Sequence, residues 1–150
     1  MRRMVDMDRF NGVNWSMQRG RVKAMIDKWG IERVIAEHNS IGGPNIEALQ
    51  NDNLPIVPFE TTGLSKPPLI ESLALAFERG EIAIFDDGVL TGELSAYERK
   101  VSPQTGRSQF SAPEGLHDDT VIALALAWYG ITSASFIAPI FFDWTPEEAF

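Results

Sequence analysis

Between Thr120 and Phe142 the chain carries no charged side chain. A run of that length can span a bilayer. Gly130, Thr132, Ser133, Ser135 and Pro139 interrupt it, however, and both flanks are acidic (Asp118, Asp119, Asp143) with no Lys or Arg anchor. The better expectation is no membrane span. Instead, a helix at Thr120–Tyr129, apolar nearly all round and therefore buried, is followed by an apolar docking segment at Phe136–Phe142. A helix buried on every side needs a domain around it. The whole chain, 150 residues with 44% hydrophobic content, suffices for one domain and not for two full ones. That divides the chain into a domain at 1–134 and an apolar and acidic tail at 135–150. The absence of cysteine excludes a disulfide scaffold, a thiolate zinc site and a cysteine nucleophile, and it fits a reducing compartment. Residues 1–10 (MRRMVDMDRF) contain no continuous apolar core, so no secretory signal is expected there.

The formal net charge is −8. Residues 1–50 hold eight basic and six acidic residues, whereas residues 51–150 hold five basic and fifteen acidic. Such a chain does not coat DNA, because non-specific DNA affinity comes from Lys and Arg neutralising phosphates. A metal-dependent nuclease can nevertheless be acidic, since its ligands are carboxylates.

Apolar spacing predicts an alternation of strands and helices. Met4–Phe10 alternates weakly as a strand. Val22, Met25, Ile26 and Trp29 recur at helical spacing, predicting a helix over 15–29 that Gly30 ends. Ile31–Glu37 reads as a buried strand, Ser40–Pro44 as a loop, Asn45–Gln50 as a short helix and Ile56–Phe59 as a strand. Ser65 is placed as an N-cap ahead of Pro67 and Pro68, with a helix to Arg79 stopped by Gly80. Ile82–Phe85 is a brief strand, Leu90–Glu98 a short helix, and Lys100–Ala112 a hairpin turning at Pro103–Gly106. The fold class is therefore α/β with a partly parallel sheet, and in such sheets sites form at the carboxyl ends of strands.

Three acidic positions suit that geometry. Glu37 ends the most convincing strand and precedes His38, Asn39, Ser40 and a Gly-Gly pair. Asp118 and Asp119 follow His117 and open the buried helix. Carboxylates are what Mg²⁺ or Mn²⁺ prefers, and two such ions about 4 Å apart can clamp a phosphodiester. Plainer readings stand beside this one. Asp at a helix start is favoured by capping and by the helix dipole. Two adjacent Asp side chains, however, repel each other unless a cation is near. Glu37 can be a solvated loop acid, and His38 and His117 can be structural. Lys66 can touch a phosphate or be a solvated first-turn lysine, and no nucleotide-loop pattern surrounds it. Arg19, Arg21, Lys23 and Lys28 read as the polar face of the first helix. Arg99, Lys100 and Arg107, around a turn, suit contact with a nucleic-acid backbone.

The order of these segments resembles the nuclease domain of phage large terminase subunits, the DNA-packaging motors of tailed phages. The matching pieces are DRFNGVNWSMQRGRVKAMIDKWG, RVIAEHNSIGG, TTGLSKPPLIESLALAFERGEI, LTGELSAYERK and GLHDDTVIALALAWYG, together spanning about residues 8–130. The resemblance implies an RNase H-like mixed sheet flanked by helices. It also implies a two-metal endonuclease, using Mg²⁺ or Mn²⁺, that cuts concatemeric double-stranded DNA. Glu37 matches the second metal carboxylate and Asp119 the last, with Asp118 auxiliary and His117 in the same motif. Implied partners are the terminase ATPase domain, the small subunit and the portal protein, in the host bacterial cytoplasm of a phage or prophage. The family's first catalytic Asp, on its first strand, has no match. Asp6 and Asp8 fall on a different strand. The chain is thus expected to start at the third strand without the N-terminal hairpin, leaving a weakened site and an unpaired sheet edge. A non-catalytic terminase remnant that binds protein partners, and another RNase H-like core of the resolvase or transposase kind, are the alternatives.

Overall fold

The amphipathic repeat predicted at residues 15–29 forms helix α1 (Trp15–Trp29) in the computed structural model, whose described residues are 1–133. Both ends have local causes. Asn14 sits in an extended conformation and its side chain accepts the Met17 N–H, while Gly30 takes the left-handed conformation (φ 60°) that ends the helix. The preceding segment is not the strand its alternation suggests. Only Arg2–Arg3 (β1) is strand, and the acids that completed the alternation turn to α1 instead. Asp6 accepts hydrogen bonds from Lys28 and from the Trp29 indole, and Asp8 pairs with Arg21.

The other elements follow in order: β2 (Val34–Glu37), α2 (His38–Ile41), α3 (Gly43–Asn51), β3 (Ile56–Phe59), α4 (Lys66–Glu78), β4 (Ile82–Ala83), α5 (Gly88–Ala96), β5 (Glu98–Val101), β6 (Ser108–Ser111) and α6 (Asp119–Ser133). β2 and β4 are shorter than predicted. The Ser40 loop is helical through Ile41, and α3 begins two residues early because Pro44 stands in its first turn, where a missing N–H costs nothing. Ser65 occupies the N-cap position of α4 without capping it. Its hydroxyl donates to Glu60 O and accepts from Thr62 N instead.

Among the described residues three two-stranded sheets result. β1 pairs with β4 and β2 with β3, both parallel, while β5 and β6 form the predicted antiparallel hairpin. Among the described residues no ladder joins β1 to β2.

β2 and β3 are covered on both faces, and pleat alternation decides what each face meets. Val34, Ala36 and Ile56 join Ile46 and Leu49 of α3 in one cluster. Ile35 and Phe59 point the other way, onto α6, with Phe59 edge-on to the Tyr129 ring at 5.1 Å. Glu37 is two residues beyond Ile35, so it shares the α6 face. α6 lies in the larger cluster, with Leu69, Ile70, Leu73 and Ala76 of α4 and Leu90 of α5. Two contacts show that α4 and α6 run in the same direction: Lys66 meets Asp118, and the Trp128 indole donates to Ser72 Oγ at 3.1 Å. Arg2 stacks over the Trp128 ring at 5.2 Å, so α6 supports both parallel pairs.

Among the described residues no helix is long and apolar enough to cross a membrane. The tail at 135–150 and the docking segment at Phe136–Phe142 lie outside the described residues, as does the division between domain and tail.

Two measurements check this packing. A Cβ at Gly130 would stand 2.8 Å from Ile35 Cγ1, part of a stiff β-branched side chain. Gly130→Val is expected to lower unfolding stability by about 1–3 kcal/mol in a denaturant melt, as overpacking does. Second, the Lys28 and Trp29 hydrogen bonds hold the Asp6 carboxyl below its ordinary value, and the Arg21 pair does the same for Asp8. An acid depressed by folding stabilises the fold above its unfolded pKa and loses that contribution as pH falls through the folded one. The tether between the N-terminal segment and α1 is thus intact at pH 6 and weakens below about pH 4, the ordinary Asp value. Urea melts at pH 6 and pH 3 should show a smaller acid loss for Asp6→Asn/Asp8→Asn than for the parent chain.

Candidate metal and nucleic-acid site

A relay of contacts links the carboxyl ends of β2 and β3 to the start of α6. Glu37 is opposite Phe59 in the parallel register. The two following loops are stitched together, Asn39 Nδ2 donating to Thr61 O at 3.1 Å and Thr61 N donating to Asn39 Oδ1 at 2.9 Å. Five residues further on, Lys66 opens α4 and reaches Asp118, its Nζ 3.1 Å from Oδ2. From Tyr129, packed on Phe59, back to Asp119 is about 15 Å of helix at 1.5 Å per residue.

Each predicted acid has a distinct setting. Glu37 is half-buried and accepts a hydrogen bond from Ser40 Oγ. Asp119 is exposed as the first residue of α6, where the helix dipole favours an anion. His117 is exposed in the preceding loop, and His38 is exposed after β2.

Asp118 does not act as a side-chain cap. The N–H of Thr120 donates instead to Glu93 Oε2 of α5 at 2.8 Å, and the Thr120 hydroxyl donates to the same oxygen at 2.5 Å. Asp118 is spent on Lys66, with side-chain exposures of 27% and 25%, so the pair is only partly screened by water. Lys66 Nζ also stands 5.9 Å from the centroid of the Tyr97 ring. The Tyr97 hydroxyl is buried without a hydrogen-bond partner. Burial, and then the nearby negative charge of Asp118, push its pKa well above the ordinary tyrosine value, so it remains a protonated donor.

Hard oxygen donors suit a divalent ion such as Mg²⁺, and the Asp118 carboxylate already attracts a cation, the Lys66 ammonium. Convergence is a separate matter. Among the described residues no three acidic or histidine side chains stand close enough to hold one metal ion.

The basic residues divide into two groups. On α1 and beside it, Arg21 pairs with Asp8, Lys28 with Asp6, Lys23 with Asp27 and, at 3.8 Å, Arg19 with Asp52. That face is internally neutralised. The hairpin is more open. Arg99 donates across it to Ser108 Oγ, Lys100 lies 3.2 Å from Glu98, and Arg107 is exposed at the turn. Arg99 and Lys100 are adjacent on β5 and so point to opposite faces.

Sequence reasoning left Glu93 and Tyr97 unassigned. A signal was present: Leu90 and Leu94 mark one face of α5, Tyr97 continues that spacing just past its end, and Glu93 falls inside the apolar stripe, where a carboxylate needs a partner.

No protein-family model matches the chain. It is 32% identical to the large terminase subunit of Thermus virus P23-45 over 126 residues, which are 83% of this chain and 26% of that protein. It is likewise 32% identical over 123 residues to the large terminase subunit of Thermus phage G20c, covering 81% of this chain and 25% of that one. The chain thus spans about a quarter of the length of these curated relatives. The crystal structure of the large terminase nuclease from phage G20c superposes with a TM-score of 0.71 at 31% identity, covering 79% of this chain and 63% of that one. The same nuclease with bound magnesium gives 0.70, covering 79% and 62%. It has also been solved with cobalt and with zinc.

Glu93 supplies the measurable test of how the edge is held. Glu93→Ala removes the acceptor of the Thr120 N–H and is expected to cost about 0.5–2 kcal/mol in a denaturant melt, the range for a lost helix cap. Asp118→Asn, which leaves that acceptor in place, should spare the cap.

Proposed function

Sequence and fold make this chain a homologue of the nuclease domain of phage large terminase subunits, and on that premise we propose that it is a metal-dependent endonuclease domain acting on double-stranded DNA during genome packaging. Glu37, Asp118 and Asp119 would hold Mg²⁺ or Mn²⁺. When bound, the ions supply the charge that activates a water and stabilises the leaving oxygen of a cut phosphodiester. The chain's own groups do the positioning. Glu37 projects from the rigid end of β2 on the face that meets α6, and its bond to Ser40 limits its swing. Asp118 and Asp119 are aimed by α6, whose first turn Glu93 fastens. His117, exposed beside them, can orient a water or a phosphate oxygen. Arg99, Lys100 and Arg107 on the hairpin offer contacts to the DNA backbone, which fix position without reading sequence.

The observation that carries this reading is that Asp118 engages a cation rather than its own helix. Two adjacent acids ahead of an apolar helix are not needed there as caps, so a charge-binding role accounts for them better. In the packaging machine the domain would work on concatemeric DNA beside the ATPase domain, the small subunit and the portal protein, in the infected host's cytoplasm.

A second reading, a domain that binds protein partners without cutting, draws on the lack of three converging ligands among the described residues. Plasmid nicking decides between them. The nuclease reading expects Mn²⁺-dependent conversion of supercoiled DNA, reduced about 100-fold or more by Glu37→Ala or Asp119→Ala, at least the loss seen for groups one shell further from a metal. Equal cutting by all three proteins would overturn the assignment of these residues. Absence of Mn²⁺-dependent cutting, together with no Mn²⁺-dependent rise in melting temperature, would favour the binding domain.

A further inference from the structure

We propose that Lys66 is the resident counter-ion of Asp118 in the metal-free protein, and that Lys66 and a divalent cation exclude one another at that carboxylate. The inference rests on the metal-binding reading above and adds to it a residue that sets when the site can load. Three observations carry it. The ammonium is 3.1 Å from Asp118 Oδ2, on an oxygen a metal ion would need. The pair bridges 52 residues of sequence, from the start of α4 to the start of α6, so it is tertiary geometry and not a local helix pair. Its members are three-quarters covered, and neither charge can be abandoned there without replacement.

Exclusion follows from size and charge. Oxygen-bound Mg²⁺ or Mn²⁺ stands just over 2 Å from its ligand atom, which would bring it within about 5 Å of the ammonium on the same oxygen. Like charges at that separation, with water partly excluded, repel strongly. Loading therefore requires Lys66 to leave. The fold offers the carboxylate a replacement donor when it does. The Tyr97 hydroxyl is buried, and Asp118 is the acid beside it. An Asp118 turned away from Lys66 can accept that hydroxyl and be steadied by it. Tyr97 is thus a positioning residue, acting through Asp118. Lys66, once displaced, is a free cation at the edge where a DNA phosphate would arrive.

The test is a Mn²⁺ titration of the full 150-residue chain, followed by tryptophan fluorescence and by melting temperature, for the wild type, Lys66→Met and Lys66→Arg. Methionine keeps most of the side chain's bulk without the charge, and arginine keeps the charge. The expected result is an apparent Kd for Mn²⁺ about tenfold lower in Lys66→Met, the scale on which neighbours of metal ligands act, and little changed in Lys66→Arg. Without metal, Lys66→Met should melt below the wild type, and saturating Mn²⁺ should narrow that gap. Unchanged or weaker Mn²⁺ binding in Lys66→Met, with the wild type binding normally, would overturn the proposal while leaving the metal site intact. No Mn²⁺ binding by either protein would overturn the metal-binding reading and this proposal with it. A second measurement needs no variant: reductive methylation mapped by mass spectrometry. Lys66 should react more slowly than exposed Lys100 in metal-free protein and several-fold faster once Mn²⁺ is added. A rate for Lys66 that ignores Mn²⁺ saturation would also overturn the proposal.

Discussion

The burial of α6 governs the rest of the molecule. Seven of its fifteen residues, from Thr120 to Trp128, are buried, and they lie on more than one side of the helix. No single neighbour can cover such a surface. α4 runs along one flank, α5 closes another, and the face of β2 and β3 that carries Ile35 and Phe59 closes a third. Each large apolar side chain so removed from water contributes about 1.5–3 kcal/mol. The two parallel strand pairs share this helix as a common support, with Arg2 on Trp128 from one pair and Ile35 against Gly130 from the other. Fixing α6 also fixes where its first turn lies. The only buried polar residue among those described, Thr120, is satisfied by Glu93, so the turn that begins with Asp119 is held from the side by α5.

What could be read in the sequence was what has a local cause. α1 was legible to the residue because Asn14 and Gly30 mark its ends and four apolar side chains mark its face. β3, the hairpin and the buried character of α6 were legible for similar reasons. Met4–Phe10 was misread because alternation cannot distinguish acids that face solvent from acids recruited by a helix. Asp6 and Asp8 answer Lys28, Trp29 and Arg21, and that information lies more than ten residues away. The same limit applied to Asp118. Its partner is 52 residues upstream, and the acceptor that relieves it of capping, Glu93, belongs to a third element. Composition and spacing could identify the acids, but only the packing of α4 and α5 on α6 reveals what each one touches.

Charge tells a related story. Of the eight basic residues among the first fifty, the four on α1 are each tied to an acid. The exposed cations of the hairpin remain, with Arg99 and Lys100 on opposite faces of one strand. Around the first turn of α6 the balance is opposite. Glu93, Asp118 and Asp119 bring three carboxylates, against which stand the Lys66 ammonium and the positive end of a helix dipole, worth about half a charge. The edge is left short of positive charge even with Lys66 in place. A fold seeking only stability would place one acid at that turn. Carrying two adjacent ones, neither spent on capping by its side chain, is a standing repulsion that a divalent cation would relieve, and it is at this point that the demands of packing and the demands of chemistry part company.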